Sequence, residues 1–237
     1  MASLTLCRVR QNTRKMSLIV KICGLSTPQT LDAALDAGAD MVGFVFFPPS
    51  PRHLQFDVAR ALGQRVRGRA QKVALTVDAD EAFLQSIVEA LHPDILQLHG
   101  SESVAQIAAI RRKFGLPVMK AVPIAVKDDL ERIGAYAAVV DRLLFDAHAP
   151  CDATRPGGLG NTFDWHLLKN VQPGVPFMLS GGLDAGNVGD ALRITRAMGI
   201  DVSSGVERAP GVKDVDKIIA FVRAARSAAA QHVHPAA

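Results

Sequence analysis

The sequence predicts a (β/α)8 barrel of the TIM type, a single α/β domain in which helices surround eight parallel strands. The 237 residues suit one domain of this class, and a short aliphatic run followed by a turn and an amphipathic helical pattern recurs eight times. No hairpin signal separates these units. An open doubly wound sheet is the alternative, but it would normally carry fewer strands and a glycine-rich first turn, and here that turn is only Cys23-Gly24.

The eight predicted strands are short runs of β-branched and aliphatic residues. Several are almost continuously apolar, as expected for parallel strands that are covered on both faces. In chain order they are 18–23, 40–46, 71–77, 94–98, 117–122, 142–146, 176–180 and 200–203.

A helical pattern follows each predicted strand. The helices are expected at 30–37, 57–66, 81–91, 104–114, 128–135, 163–169, 185–197 and 214–225. Pro28 after Thr27 indicates a helix start, and Gly38 indicates a helix end. The other expected caps are Thr162, Asp184 and Asp214 at helix starts and Gly199 at a helix end.

The composition, 49% hydrophobic and 21% charged, is that of a globular chain with a sizeable core. No apolar run approaches the roughly 20 residues that a membrane span requires. The three cysteines, Cys7, Cys23 and Cys151, are too few and too widely spaced for a disulfide framework. This pattern excludes a disulfide-rich secreted scaffold and favours a reducing, cytoplasmic location.

The net charge of +4 is concentrated at the N-terminus. Residues 1–15 carry four basic side chains and no acidic one, so the remainder is formally neutral. We therefore expect a flexible basic extension at 1–15, a catalytic barrel at 16–226 and a flexible tail at 227–237. Because no basic face remains on the barrel, neither nucleic acid nor a membrane is an expected partner. A monomer and a homodimer both fit the sequence.

The chemistry of such a barrel is expected in the loops after the carboxyl ends of its strands. Glycine and serine follow strands seven and eight, where exposed backbone amides can bind a phosphate dianion. The predicted phosphate-binding residues are Gly181, Gly182, Ser203, Ser204 and Gly205. A further glycine cluster after strand six, including Gly158 and Gly160, could close over the same end. Tight βα turns alone would also use glycine.

Cys23 and Asp146 end strands one and six and are the predicted base and acid. Strand alternation places Lys21 on the same side as Cys23, so its ammonium is expected to lower the pKa of the thiol. A free cysteine is otherwise simply a small buried apolar residue. Asp146 follows an apolar strand, where loss of water favours the protonated carboxyl. Alternatively, Asp146 caps a turn or pairs with Arg142.

Arg52 lies in a proline-rich loop after strand two, where its guanidinium could bind a substrate carboxylate in bidentate fashion. A solvated surface arginine is the alternative. The histidines lack the spacing of metal ligands, so no metal is predicted. Acid and base across a barrel mouth suit a proton-transfer isomerisation that requires no cofactor.

Motifs along the chain resemble the phosphoribosylanthranilate isomerase family. They are Lys21-Ile22-Cys23-Gly24, Gly43-Phe44-Val45-Phe46, Ser50-Pro51-Arg52, Gln97-Leu98-His99-Gly100, Phe145-Asp146, Gly157-Gly158-Leu159-Gly160, Ser180-Gly181-Gly182 and the segment from Asp201 to Asp214. The resemblance covers about residues 18–223 in the family's order. Leu159, Ser180 and the end of strand three at Asp78 depart from the family pattern.

The resemblance implies an Amadori rearrangement in tryptophan biosynthesis on a small phosphoribosyl substrate. It implies that Asp146 is the general acid, that Cys23 is the general base, that Arg52 holds the anthranilate carboxylate and that the glycine turns hold the phosphate. Another sugar-phosphate isomerase on a barrel is the alternative. The histidine-pathway isomerase uses two carboxylates, so Cys23 argues against it. A ribulose-phosphate epimerase would require a metal or paired aspartates, which the sequence does not show. A non-catalytic barrel that binds a phosphorylated metabolite would need neither Cys23 nor Asp146.

Overall fold

A closed barrel of eight parallel strands forms the centre of the molecule, which confirms the predicted fold class. The computed structural model describes residues 18–150, 153 and 155–233. The predicted basic extension, together with Cys7 and Cys151, lies outside the described residues. Each strand pairs in parallel with the next, and the first strand closes the ring by pairing with the eighth.

The strands match the predicted ones to within about two residues at each end. They are β1 (Ile19–Cys23), β2 (Met41–Phe46), β3 (Gln71–Thr76), β4 (Ile95–Leu98), β5 (Val118–Ile124), β6 (Arg142–Ala147), β7 (Phe177–Leu179) and β8 (Gly199–Val202).

Seven α-helices are defined among the described residues. They are α1 (Pro28–Ala37), α2 (Phe56–Val66), α3 (Glu81–Leu91), α4 (Val104–Phe114), α5 (Ile133–Ala137), α6 (Val188–Thr195) and α7 (Val215–Val233). Asp214 caps α7 as predicted, because its carboxylate accepts from the amide of Lys217. Helix α1 begins at Pro28 as predicted, and Thr27 caps it by accepting from the amide of Thr30.

The predicted fifth and sixth helices are shorter or tighter than expected. A 3₁₀ helix at Lys127–Arg132 precedes α5, and the segment predicted at 163–169 is only a 3₁₀ helix at Trp165–Leu168. Asp164, rather than the predicted Thr162, caps this 3₁₀ helix.

Helix α6 differs from the prediction at both ends. Asp184 does not cap it directly, because its carboxylate accepts from the amides of Gly186 and Asn187 in a turn that delays the helix until Val188. At the other end Arg196, with φ 53°, ends the helix. The predicted stop residue, Gly199, instead begins β8.

Two larger differences follow strand eight. A hairpin of β9 (Glu207–Ala209) and β10 (Val212–Lys213) stands between β8 and α7, where no strand is predicted. Its turn is Pro210-Gly211, with φ 82° at the glycine. Helix α7 continues past Arg226 to Val233, so residues 227–233 are helical instead of belonging to the predicted tail.

The core has two apolar layers, one inside the barrel and one between the strands and the helices. The inner layer comprises Met41, Val73, Ile95, Met119, Ala121, Leu144 and Met178. The outer layer is larger and aliphatic. The charged side chains of Lys21 and Lys120 are also fully buried, and such cations require partners. Among the described residues, no helix is long and apolar enough to cross a membrane.

Candidate active site

A cleft opens at the carboxyl ends of the strands, where the sequence predicts the chemistry. It is lined by nearly all of the predicted site residues, namely Cys23, Arg52, Asp146, Gly158, Gly160, Gly181, Gly182, Ser203 and Ser204. Gly205 does not line it. A Cβ at Gly205 would lie 1.9 Å from the carbonyl oxygen of Leu183, so this glycine permits a close backbone approach behind the cleft.

Cys23 is a buried free thiol at the end of β1. Its Sγ and the Nζ of Lys21 both lie against Gly43. A side chain at this position would not fit, since its Cβ would lie 2.8 Å from Sγ and 3.2 Å from Nζ. The Nζ of Lys21 also donates to Asp201 Oδ1 at 2.9 Å, since Lys21 and Asp201 are level in the β1–β8 register. The thiol therefore stands above a buried ion pair.

Burial raises the pKa of the Cys23 thiol, and this outweighs the nearby Lys21 ammonium. The Asp201 carboxylate acts in the same direction as burial, whereas Lys213 opposes it. Lys21 therefore lowers the pKa as predicted, but burial outweighs it, so the expected overall lowering of the Cys23 pKa is wrong. Burial alone would lower the pKa of Lys21, but Asp201 and Cys23 together raise it, so Lys21 remains charged.

Asp146 is also buried, and its carboxyl faces a histidine. Asp146 Oδ2 lies 3.2 Å from His99 Nε2, and Asp146 Oδ1 accepts from the amide of Ala147 at 2.9 Å. Gln97 Nε2 donates to His99 Nδ1 at 3.1 Å, so in this arrangement the Nε2 of His99 carries the hydrogen that faces Asp146. Among the described ion pairs, none joins Asp146 to Arg142, the alternative partner considered from the sequence.

Arg52 is 4% exposed, and its guanidinium already binds groups of the protein. Nε and Nη2 donate to the two carboxylate oxygens of Glu207, each at 2.7 Å, and Nη2 also donates to the carbonyl of Gly158 at 3.0 Å. In this conformation Arg52 therefore cannot bind a substrate carboxylate in bidentate fashion, contrary to expectation. Nη1 remains free to donate within the described residues.

Glu207 joins Arg52 to a second buried cation, Lys213. The Nζ of Lys213 donates to Glu207 Oε1 at 2.8 Å and to the carbonyl and hydroxyl of Ser203 at 2.8 and 3.1 Å. The Ser203 hydroxyl in turn donates to the carbonyl of Cys23 at 3.2 Å. Burial lowers the pKa of Lys213 to about 8. The pKa of Glu207 is also lowered, because its bonds to Arg52 and Lys213 outweigh burial.

The turn after β7 presents backbone amides to the cleft. Gly181 and Gly182 adopt φ values of 90° and 60°, and within the described residues their amides donate to no protein acceptor. A Cβ at Gly181 would lie 2.7 Å from the amide nitrogen of Ala147, and one at Gly182 would lie 2.3 Å from Thr162. Free amides in a tight turn can bind an anion.

The glycine loop after β6 lies over the same cleft, as predicted. A Cβ at Gly157 would be 2.7 Å from Asp146 Oδ2, and one at Gly158 would be 2.6 Å from Arg52 Nη1. Gly160 approaches Ser204, since a Cβ at Gly160 would lie 3.7 Å from the Ser204 Oγ. Glycine thus lets the loop lie directly on the acid and the guanidinium.

The sequence profile described as N-(5'phosphoribosyl)anthranilate (PRA) isomerase matches residues 20–224. The chain belongs to this family. A curated relative from Nitrobacter hamburgensis, named N-(5'-phosphoribosyl)anthranilate isomerase, is 70% identical over 213 residues, which are 90% of this chain and 95% of the relative. The match confirms the family and the isomerase function that the motifs predict.

Solved structures of the family share the fold. The phosphoribosyl anthranilate isomerase of Thermotoga maritima is 33% identical, with a TM-score of 0.80 over 89% of this chain and 99% of that one. A second structure of a phosphoribosyl anthranilate isomerase, 30% identical with a TM-score of 0.78 over the same shares of each chain, is a complex with reduced 1-(o-carboxyphenylamino)-1-deoxyribulose 5-phosphate.

Sequence reasoning missed the supporting polar residues of this family member. His99 could have been found, because it follows Gln97 by two residues at the end of β4 and both side chains therefore share one side. Glu207 and Lys213 belong to the motif segment from Asp201 to Asp214, but no role is predicted for them because the hairpin that carries them is not predicted. Within the described residues, no cluster of three or more His, Cys, Asp or Glu side chains could hold a metal.

Proposed function

We propose that this chain converts N-(5-phosphoribosyl)anthranilate to 1-(2-carboxyphenylamino)-1-deoxyribulose 5-phosphate, the Amadori rearrangement of tryptophan biosynthesis. The observation that carries this proposal is that a thiol, a carboxyl and a turn of free amides line one cleft. Family membership and the product-like ligand of the related structure support the same reaction.

Asp146 is the proposed general acid. Its proton goes to the ribose ring oxygen while the bond between that oxygen and C1 breaks, and the nitrogen lone pair forms the C1=N bond of an iminium ion. The apolar strand before Asp146 and the loop at Gly157 limit the access of water to the carboxyl.

Cys23 is the proposed general base. As a thiolate it takes the proton from C2, and the released electron pair forms the C1=C2 bond and neutralises the iminium nitrogen. The resulting enolamine tautomerises to the ketone, with C1 gaining a proton and the C2 hydroxyl losing one. Because C2 is oxidised and C1 is reduced within the same molecule, the reaction balances without an external oxidant, a reductant or a cofactor.

The two ends of the substrate have separate proposed anchors. Nη1 of Arg52 donates to the anthranilate carboxylate, while Nε and Nη2 stay on Glu207. The phosphate occupies the turns at Gly181, Gly182, Ser203 and Ser204, with Gly158 and Gly160 closing the loop above. Gly205 supports the turn after β8 through its close packing on Leu183.

The proposed catalytic unit is the barrel, from about residue 16 and including helix α7. We propose a cytoplasmic location, which is supported by the free Cys23 on which the mechanism depends. Its proposed ligand is a small phosphoribosyl compound.

Loss of substrate fluorescence in purified Cys23→Ala and Asp146→Ala variants tests the proposal. Each variant should lose at least about 100-fold in kcat, the lower range for general acid–base catalysis. Asp190→Ala is the matched control, because Asp190 is exposed and pairs with the exposed Arg193. Wild-type protein that binds inorganic phosphate but does not turn over the substrate would instead indicate a non-catalytic binding barrel. Near-normal turnover in either variant would reject its assigned role.

A further inference from the structure

The hairpin β9–β10 adds two buried charges beneath the mouth of the barrel. Glu207 and Lys213 are 8% and 6% exposed, and both point at residues from other elements. The hairpin is fixed to the loop that carries Arg52, because a Cβ at Gly211 would lie 2.6 Å from the carbonyl of Pro51. The Gly211 amide also donates to Glu207 Oε2 at 3.2 Å. These contacts hold the two charges in place.

The contacts of Lys213 run to both ends of the proposed substrate site. Through Glu207 it reaches Arg52, and through its two bonds to Ser203 it reaches the turn after β8. The Glu207 carboxylate neutralises one of the two cations. Arg52, Glu207 and Lys213 therefore carry a net charge of about +1 while Lys213 is protonated, and about zero when it is not.

We propose that Lys213 is a positioning residue for substrate binding: through Glu207 and Ser203 it couples the Arg52 anchor to the phosphate turn and supplies the net positive charge of the anchor. The inference rests on the proposed function, since it concerns a substrate with a carboxylate at one end and a phosphate at the other. Without the Lys213 charge, the Glu207 carboxylate would fully offset Arg52, and attraction of a carboxylate would fall.

Lys213→Met tests this directly, because methionine fills a similar space without charge. KM for N-(5-phosphoribosyl)anthranilate should rise at least about tenfold, with kcat changed less than about threefold. Arg208→Met is the matched control: Arg208 lies on the same hairpin, is exposed and carries the same charge. Its KM should stay within about twofold of the wild-type value.

The double variant Glu207→Gln/Lys213→Met separates charge from packing. The double variant removes one negative and one positive charge, so the remaining charge of Arg52 restores a net charge of about +1 to the cluster. KM should recover by at least about threefold from the value of Lys213→Met. A purely structural role predicts the opposite, because the second substitution would remove further hydrogen bonds and worsen the defect.

Wild-type protein provides a further test without any substitution. The groups facing Lys213 are Glu207 on β9, Arg52 after β2, Cys23 at the end of β1 and Ser203 after β8. Since burial lowers the pKa of Lys213 to about 8, its charge is lost above that pH, and KM should rise there in the wild type and in Arg208→Met but not in Lys213→Met.

The outcomes are distinguishable from failure of the proposed function. Absence of turnover by the wild type would reject that function. Normal wild-type turnover combined with an unchanged KM in Lys213→Met, or with a double variant no better than the single one, would overturn the role of Lys213 alone. Circular dichroism establishes that each variant is folded, and the wild-type pH profile decides the matter if Lys213→Met does not fold.

Discussion

The Nε2 of His99 lies 3.2 Å from Oδ2 of Asp146, at the carboxyl ends of β4 and β6, which flank β5 in the barrel. Gln97 Nε2 contacts the other ring nitrogen, so the imidazole is held from both sides. A glycine loop covers the pair, because a Cβ at Gly157 would lie within 2.8 Å of both side chains. This arrangement fixes the orientation of the proposed acid.

His99→Asn should lower kcat by about 10- to 100-fold while leaving KM almost unchanged, because the carboxyl of Asp146 would lose its fixed orientation. Steady-state kinetics by substrate fluorescence provides the measurement. His92→Asn is the control, since His92 is exposed and its φ of 48° is one that asparagine tolerates. A kcat within about twofold of the wild-type value in His99→Asn would show that Asp146 needs no such support.

The rate of C2 proton removal should increase with pH above neutrality. Burial raises the pKa of Cys23 above its ordinary value, so the thiol is protonated at neutral pH and the reactive thiolate becomes more abundant as the pH rises. We expect kcat to rise by up to about tenfold per pH unit up to that raised pKa, provided that this step limits the rate. The difference in ultraviolet thiolate absorbance between wild type and Cys23→Ala should rise over the same pH range. A kcat that is flat with pH while this absorbance rises would contradict the role of Cys23 as the base in the limiting step.

Arg52→Met should raise KM by at least about tenfold and change kcat less, because the variant retains the apolar stem but loses the donor Nη1 for the carboxylate. Arg69→Met is the control: it removes an arginine whose pair with Asp36 is exposed. The roles of Arg52 and Glu207 would need revision if turnover collapsed at an unchanged KM.

Gly181→Ala should weaken phosphate inhibition and destabilise the protein more than Gly174→Ala does. Both glycines have positive φ, 90° and 83°, and alanine costs about 1–2 kcal/mol in such a conformation. Only at Gly181 would the new Cβ clash, at 2.7 Å from the Ala147 amide nitrogen, whereas Gly174 has open space. Thermal unfolding and the inhibition constant of inorganic phosphate measure the two effects. Equal inhibition constants of phosphate for the two variants would contradict a phosphate site in this turn.

The barrel and the mouth residues are predictable because they obey local rules. Apolar runs define the strands, and the carboxyl end of each strand leads directly to Cys23, Asp146 and the glycine turns. The helix end at Arg196 is not predictable in this way, because an arginine there adopts a conformation that the sequence pattern assigns to glycine.

The direction of the Cys23 pKa shift depends on long-range information. Lys21 is two residues away and visible in the sequence, but the extent of burial and the approach of Asp201, 178 positions beyond Cys23, emerge only from the closed ring. The Arg52–Glu207 pair likewise joins residues 155 positions apart. Such pairs are set by tertiary packing, which periodicity cannot reveal.

The pairing of β1 with β8 means that the surroundings of the proposed base depend on both ends of the barrel sequence. Without β8, Lys21 has no carboxylate at its side, and an ammonium without a counter-ion is poorly tolerated among aliphatic side chains. A chain that ends before Asp201 would therefore lack the β1–β8 pairing that closes the barrel and the carboxylate that neutralises Lys21. The pairing that closes the ring therefore also supplies the carboxylate partner of the ammonium beneath the proposed base.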